Sequence, residues 1–466
     1  MIFGIDRHPS DMPAIISADG TVWDYGRLVH EVSEFKKVLN GRSLIFCLCR
    51  NDAASAAGYL GFLEQGSVSL LLAEKPDPAL LSALTDTYKP SYLWRPVADA
   101  ETETPVYTLD EYGLFATGFE SPEMADSLAL LLSSSGTTGS PKLIRLSRRN
   151  LEANAAAISQ YLNLSEKERP VTTLPMHYTY GLSVINSHLY AGACVLMTRA
   201  SVVNQEFWDF LSAYNGTSLA GVPYTYEILK RIRFTERDDI SSITSLTQAG
   251  GHLSVELQKF YGKWAADHDI KFFVMYGQTE ATARMSYLPP EDMLRKPGSI
   301  GIPIPNGRFE ILDTDGNIIN TPDEAGELVY YGENVSLGYA ACRDDLSKPD
   351  ERGGRLLTGD LASFDYEGYY YIRGRLSRFV KLYGNRVSLD ECENILKGLD
   401  VDSEFACAGN DDELVIFTDS IKADDAPLYL AERLKLNIRA FRAVKLSRIP
   451  TNDRGKVDYA ALGDLL

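Results

Sequence analysis

Short, wholly apolar runs alternate along the chain with longer stretches in which apolar positions recur every three or four residues. Residues 43–49 (SLIFCLC) read as a buried strand and residues 52–65 (DAASAAGYLGFLEQ) as a helix. Residues 67–73 (SVSLLLA) read as a second strand with helical material behind it. Farther on, residues 193–199 (ACVLMTR), 218–222 (SLAGV) and 271–276 (KFFVMY) have the composition of buried strands, with helices such as 224–233 (YTYEILKRIR) between them. This alternation predicts an α/β fold with largely parallel sheets, since parallel neighbours need a crossover. Residues 326–339 (GELVYYGENVSLGY) and 368–376 (GYYYIRGRL) are aromatic and β-rich, with glycine punctuation. They predict a β-rich subdomain. Beyond them, residues 413–419 (ELVIFTD), 427–441 (PLYLAERLKLNIRAF) and 442–450 (RAVKLSRIP) predict a strand, a helix and a strand. The expected division is a large domain, 1–375, of mixed and parallel sheets flanked by helices, followed by a small α+β domain, 376–466.

Length and charge narrow the picture. At 466 residues the chain exceeds what one core accommodates. The longest apolar candidate for a membrane span, residues 56–73, is interrupted by Glu64 and Gln65. The first residues, MIFGIDRHPSD, lack the order of a secretion signal. Six scattered cysteines form no C-x-x-C pair, which points to buried thiols in a reducing compartment and so to the cytoplasm. A net charge of −18 disfavours nucleic acid as a partner. Residues 433–456 run the other way, with eight lysines and arginines against the single acid Asp453. That run is either a solvated face or a landing strip for a phosphate-bearing acceptor.

The most distinctive chemistry lies in residues 130–147 (LLLSSSGTTGSPKLIRLS). Ser133, Ser134, Ser135, Gly136, Thr137, Thr138, Gly139 and Lys142 sit between two apparent strands. Glycines let backbone N–H groups converge on an anion, hydroxyls add donors and a lysine adds a point charge. A polyphosphate suits such a loop. The spacing is not that of the usual phosphate loop, because Lys142 stands three places after Gly139.

This loop resembles the signature of the adenylate-forming superfamily of acyl-CoA synthetases, peptide-synthetase adenylation domains and luciferases. Further motifs follow in that superfamily's order: Tyr276-Gly277-Gln278-Thr279-Glu280, Gly326-Glu327-Leu328 with Gly338-Tyr339, and Thr358-Gly359-Asp360. Gly374-Arg375 with Lys381, Gly384 and Arg386 resembles the interdomain segment, and the stretch around Lys456 resembles the terminal lysine motif. The resemblance implies ATP-dependent joining of a carboxylic acid to AMP, release of pyrophosphate, and acyl transfer to the thiol of coenzyme A or of an acyl carrier protein. It implies that the small C-terminal domain is mobile. It also implies roles: the serine- and glycine-rich loop for the β- and γ-phosphates, Thr279 for the α-phosphate, and Glu280 for Mg²⁺. Asp360 with Arg375 would hold the ribose, Tyr276, Gly277 and the Gly250-Gly251-His252 turn the adenine, and Lys456 the reacting oxygens. Ser377 occupies the hinge position, where aspartate or lysine is usual, and Leu143 stands where glycine usually follows the loop lysine.

Residues 174–182 (LPMHYTYGL) resemble the aromatic gate of the family, with His177 beside the carboxylate. Tyr178, Tyr180, Tyr224 and Gly251 would line the acid pocket. No aspartate lies between Leu174 and Ser183 to neutralise a substrate ammonium, so an amino acid is disfavoured. The tyrosines suit a small aryl or a short to medium acyl acid. The rival readings are a luciferase-type oxidoreductase, which would spend the adenylate on oxygen, and a non-catalytic nucleotide-binding module.

Overall fold

The computed structural model describes residues 1–99, 103–133, 142–376, 378–382, 385–401, 403–410, 413–434, 436–451 and 457–466. The described residues form two compact units, one within 1–133, 142–308 and 330–356, the other within 309–329 and 357–466.

In the first unit an eight-stranded sheet has at its centre the parallel strands Leu44–Cys49 and Val68–Ala73, with Leu128–Ser133 beside them. The predicted helix at 52–65 is Ala53–Gln65, with Asp52 as its N-cap and Gly66 closing it in the left-handed conformation. Its residues from Ala53 to Leu63 are buried, which explains why it is apolar on all faces. Gly61 and Gly58 let the Phe35 and Trp94 rings lie against the helix backbone. A nine-stranded sheet carries a parallel run of neighbours: Val195–Met197, Pro170–Val171, Ser218–Gly221, Ser245–Gln248 and Lys271–Tyr276. The helices Arg148–Leu162 and Thr179–Tyr190 pack against each other.

In the second unit the strands Arg355–Phe364 and Tyr370–Arg375 pair antiparallel. Farther along, Phe405–Gly409, Leu414–Thr418 and Phe441–Lys445 form a three-stranded sheet. One face packs on the helices Leu389–Leu396 and Ala426–Leu434, and the other on Ile449 and Leu462. The helix expected over 427–441 ends at Leu434. Asn437 opens a separate 3₁₀ turn, Ile438–Ala440, by accepting a hydrogen bond from Arg439 N.

The α/β class is the one the alternation predicts. Among the described residues no helix is long and apolar enough to cross a membrane. Cysteines 47, 49, 194, 392 and 407 are buried, as expected of unpaired thiols, whereas Cys342 is exposed.

Candidate functional site

Four neighbouring parallel strands, Pro170–Val171, Ser218–Gly221, Ser245–Gln248 and Lys271–Tyr276, end on one edge of the nine-stranded sheet. The segments that follow them carry His177 and Tyr178, then Tyr224, then Gly250 to His252, then Gly277 to Glu280. The carboxyl ends of parallel strands are where α/β folds bind ligands. Residues scattered over a hundred positions thus arrive at one edge because their strands are adjacent.

Several of them touch. The Thr179 and Thr279 hydroxyls are 3.0 Å apart. A Cβ on Gly250, whose φ is +81°, would lie 2.5 Å from the Tyr178 hydroxyl, so this turn passes directly over Tyr178. Gly251 packs on Pro223, at the start of the helix that carries the exposed Tyr224. Tyr180 is buried and donates to Thr247 O at 2.8 Å. His177 is half-buried, and His252 is exposed. Gly277 has a local reason for lacking a side chain, since a Cβ there would lie 1.6 Å from Ala283 O. The turn between them is strained: Thr282 and Ala283 hold φ values of +58° and +126°. Asn334 ties it down by donating to Ala281 O at 2.8 Å and Arg284 O at 3.1 Å.

Glu280 is held from outside its own motif. The Tyr339 hydroxyl donates to Glu280 Oε1 at 2.8 Å, and burial followed by this carboxylate raises the Tyr339 pKa. Arg352 lies 4.7 Å from the Tyr339 ring centroid and donates to Ser336 Oγ at 2.6 Å. Among the described residues no group of three or more His, Cys, Asp or Glu side chains could hold a metal. A single carboxylate fits Mg²⁺ delivered on nucleotide phosphates, since this ion keeps waters and phosphate oxygens as its other ligands.

Ser133 and Leu143 are register partners on antiparallel strands, so the loop between them joins the ends of a hairpin, and Lys142 is exposed. Ser134, Ser135, Gly136, Thr137, Thr138 and Gly139 lie outside the described residues, as do Ser377 and Lys456. The strand after the loop is anchored by Arg145, which is fully buried and donates to the carbonyls of Leu337, Tyr339, Lys348 and Pro349.

In the second unit Arg375 Nε donates to Asp360 Oδ1 at 3.1 Å. Asp360 is buried, and Thr358 Oγ1 accepts from its backbone N–H. Next to the hinge position, Arg378 pairs with Asp390 and Glu393 and lies 3.8 Å from the Tyr459 ring centroid. Burial works against its charge, but Glu393, Tyr459 and Asp390 together outweigh burial and its pKa rises. The Tyr459 hydroxyl donates to Glu393 as well.

The profile of the AMP-binding enzyme family matches residues 5–340. The chain belongs to this family. It is 28% identical to an oxalate–CoA ligase of Arabidopsis thaliana over 74% of the chain and 67% of the relative. It is 30% identical to a sulfoacetate–CoA ligase of Cupriavidus necator over 66% of the chain and 60% of the relative. The chain therefore spans 60–67% of the length of these two relatives. ATP-bound MatB from Rhodopseudomonas palustris superposes with a TM-score of 0.80 at 22% identity, over 100% of this chain and 98% of that one. That likeness gives this AMP-binding enzyme the adenylate-forming fold. Tyr339 belongs to a motif legible in the sequence, but nothing there signals that it holds Glu280 or that Arg352 backs it.

Proposed function

We propose that this chain is an acid–thiol ligase that joins a carboxylic acid to AMP and then passes the acyl group to a phosphopantetheine thiol. The family match carries the reading, together with the order of six motifs from Ser133 to Asp458. A carboxylate oxygen attacks the α-phosphorus of ATP, the bond to the β-phosphate breaks, and pyrophosphate leaves. No enzymic base is needed, because the acid is ionised at neutral pH. The work left to the protein is to bring two anions together and stabilise the charge of the transition state.

In this reading Thr279, steadied by Thr179, contacts the α-phosphate. Glu280, oriented by Tyr339, holds Mg²⁺, which when bound offsets phosphate charge. Ser133, Lys142 and the loop between them hold the leaving phosphates. Tyr276, Gly277, Gly250, Gly251 and His252 border the adenine, and His177 gates the carboxylate. Tyr178, Tyr180 and Tyr224 wall the acid pocket. Asp360 and Arg375 hold the ribose. Lys456 bridges the reacting oxygens. Residues 376–466 act as a mobile domain that turns at Ser377 to admit the thiol. Coenzyme A is the simplest acceptor, and the basic run at 433–456 suits its nucleotide or an acidic carrier protein.

The test is a panel of carboxylic acids read by pyrophosphate release, with and without coenzyme A, on the native chain and Lys456→Ala. The expected result is acid-dependent pyrophosphate, a thioester when coenzyme A is present, and no light. The variant should adenylate at least about a hundredfold more slowly, yet convert supplied acyl-adenylate to thioester far less impaired. Release of orthophosphate instead of pyrophosphate would overturn the assignment.

A further inference from the structure

Arg284 is a buried cation that no carboxylate among the described residues answers. It is 2% exposed, and its hydrogen bonds both come from Nη1, to the Tyr161 hydroxyl at 2.9 Å and Met275 Sδ at 3.2 Å. Its guanidinium lies 5.0 Å from the Tyr180 ring centroid, and its Nε finds no acceptor among the described residues. The surroundings are aromatic and apolar: Tyr161 and Tyr287 stack at 4.3 Å, with Phe273 and Met275 beside them. An arginine kept in such a place without a counter-charge is costly, since desolvation is not recovered by pairing.

Arg284 lines a small pocket with Leu162, Val184, His188, Ala220 and Thr247. Its position relative to the proposed chemistry is informative. Tyr180, Val184 and His188 recur at four-residue spacing and so share one face of the helix Thr179–Tyr190. That helix begins at Thr179, whose hydroxyl meets Thr279. The pocket lies farther along that face, at Val184 and His188, and Tyr180, whose ring the Arg284 guanidinium faces, comes between it and the end where the acid would react. His188 Nδ1 lies 2.8 Å from Val184 O, while Nε2 has no partner among the described residues. Burial, and then the nearby Arg284, push the His188 pKa down to about 4. The charge in the pocket at neutral pH is therefore that of Arg284 alone.

The geometry points to a substrate with two anionic ends: one carboxylate reacts near Thr279, and a second carboxylate or sulfonate is held by Arg284. This rests on the ligase reading above and narrows its substrate class to short diacids and sulfo-acids. Such a guest supplies the missing counter-charge, and a planar carboxylate can accept from the guanidinium fork. A neutral acyl chain would leave the cation buried and unanswered.

The experiment compares matched acids, each diacid beside its monoester: malonate, succinate, glutarate, adipate and phthalate. Pyrophosphate exchange gives kcat/KM, and thermal unfolding gives ligand stabilisation without turnover. In the native chain at least one diacid should be preferred over its monoester by about a hundredfold or more and should raise Tm. In Arg284→Gln that preference should fall below about fivefold and the Tm rise should vanish, with Arg284→Lys between the two. Calorimetric ATP binding checks that the variants are folded, and the native-chain ratio stands even if they are not. Monoesters used as well as diacids would overturn the inference and leave the ligase reading intact. No exchange with any acid, alongside an Arg284-dependent Tm rise with a diacid, would overturn the ligase reading and leave the anion site. Neither exchange nor stabilisation by any diacid would overturn the inference.

Discussion

Asp360 and Arg375 are register partners on adjacent antiparallel strands, and the Arg375 Nε lies 3.1 Å from the Asp360 carboxylate. Their exposure is unequal: the aspartate side chain is 5% exposed and the arginine 59%. The buried carboxylate is thereby fixed in orientation while the arginine keeps solvent-facing donors. Replacing Asp360 by Asn keeps the shape and removes the charge that ribose hydroxyls would meet. Charge-assisted hydrogen bonds contribute about 1.5–3 kcal/mol, so ATP affinity should fall roughly 10- to 100-fold. Calorimetric titration of ATP checks this, and an unchanged Kd would remove Asp360 from the site.

Arg378 ties the strand after the hinge position to Glu393 and Tyr459, a neighbour in sequence of the segment that carries Lys456. Truncating it leaves Glu393 and Asp390, 13% and 21% exposed, without their cation. Arg378→Ala should therefore cost about 3 kcal/mol, the low end for breaking a buried pair. Adding Glu393→Gln should restore part of the loss, which denaturant unfolding of the single and double variants would measure.

His188 makes stability depend on pH. Its folded pKa of about 4 lies below its ordinary value of 6.5, so between those limits the unfolded chain binds the extra proton. Its contribution is complete above about pH 6.5 and is lost as pH falls towards about 4, at most roughly 3 kcal/mol. Denaturant midpoints measured from pH 7 to pH 4.5 should fall less steeply in His188→Gln than in the native chain.

Gly277→Ala should destabilise by about 3 kcal/mol, at the upper end of overpacking costs, because its Cβ would meet the Ala283 backbone and not a yielding side chain. Gly463→Ala, where nothing lies within 4 Å, is the matched control and should stay within about 0.5 kcal/mol. Equal thermal midpoints for the two would contradict this account of Gly277.

Much was readable in advance for reasons that operate locally. An apolar run six residues long, such as Leu44–Cys49, has the length of a buried strand, and Ala53–Leu63, apolar but for Ser55, is long enough to read as a buried helix. The overlong helix predicted through residue 441 failed because Asn437 offers its side chain to the backbone and starts a new turn. Arg284 was invisible for a different reason. In the run ATARMSYL it is one arginine among ordinary neighbours, and its meaning depends on Tyr161, Tyr180 and His188, which lie nearly a hundred or more residues upstream.

By itself, the order of residues determined the α/β class, the family, and which side chains could do the chemistry, because strand periodicity and motif spacing are properties of short stretches. Only the tertiary structure decided that Tyr339 orients Glu280, that Gly277 answers to Ala283, and that Arg284 is buried with no acceptor for its Nε among the described residues. These depend on which strands become neighbours and on what burial withholds from a charge, and no short stretch of sequence carries either.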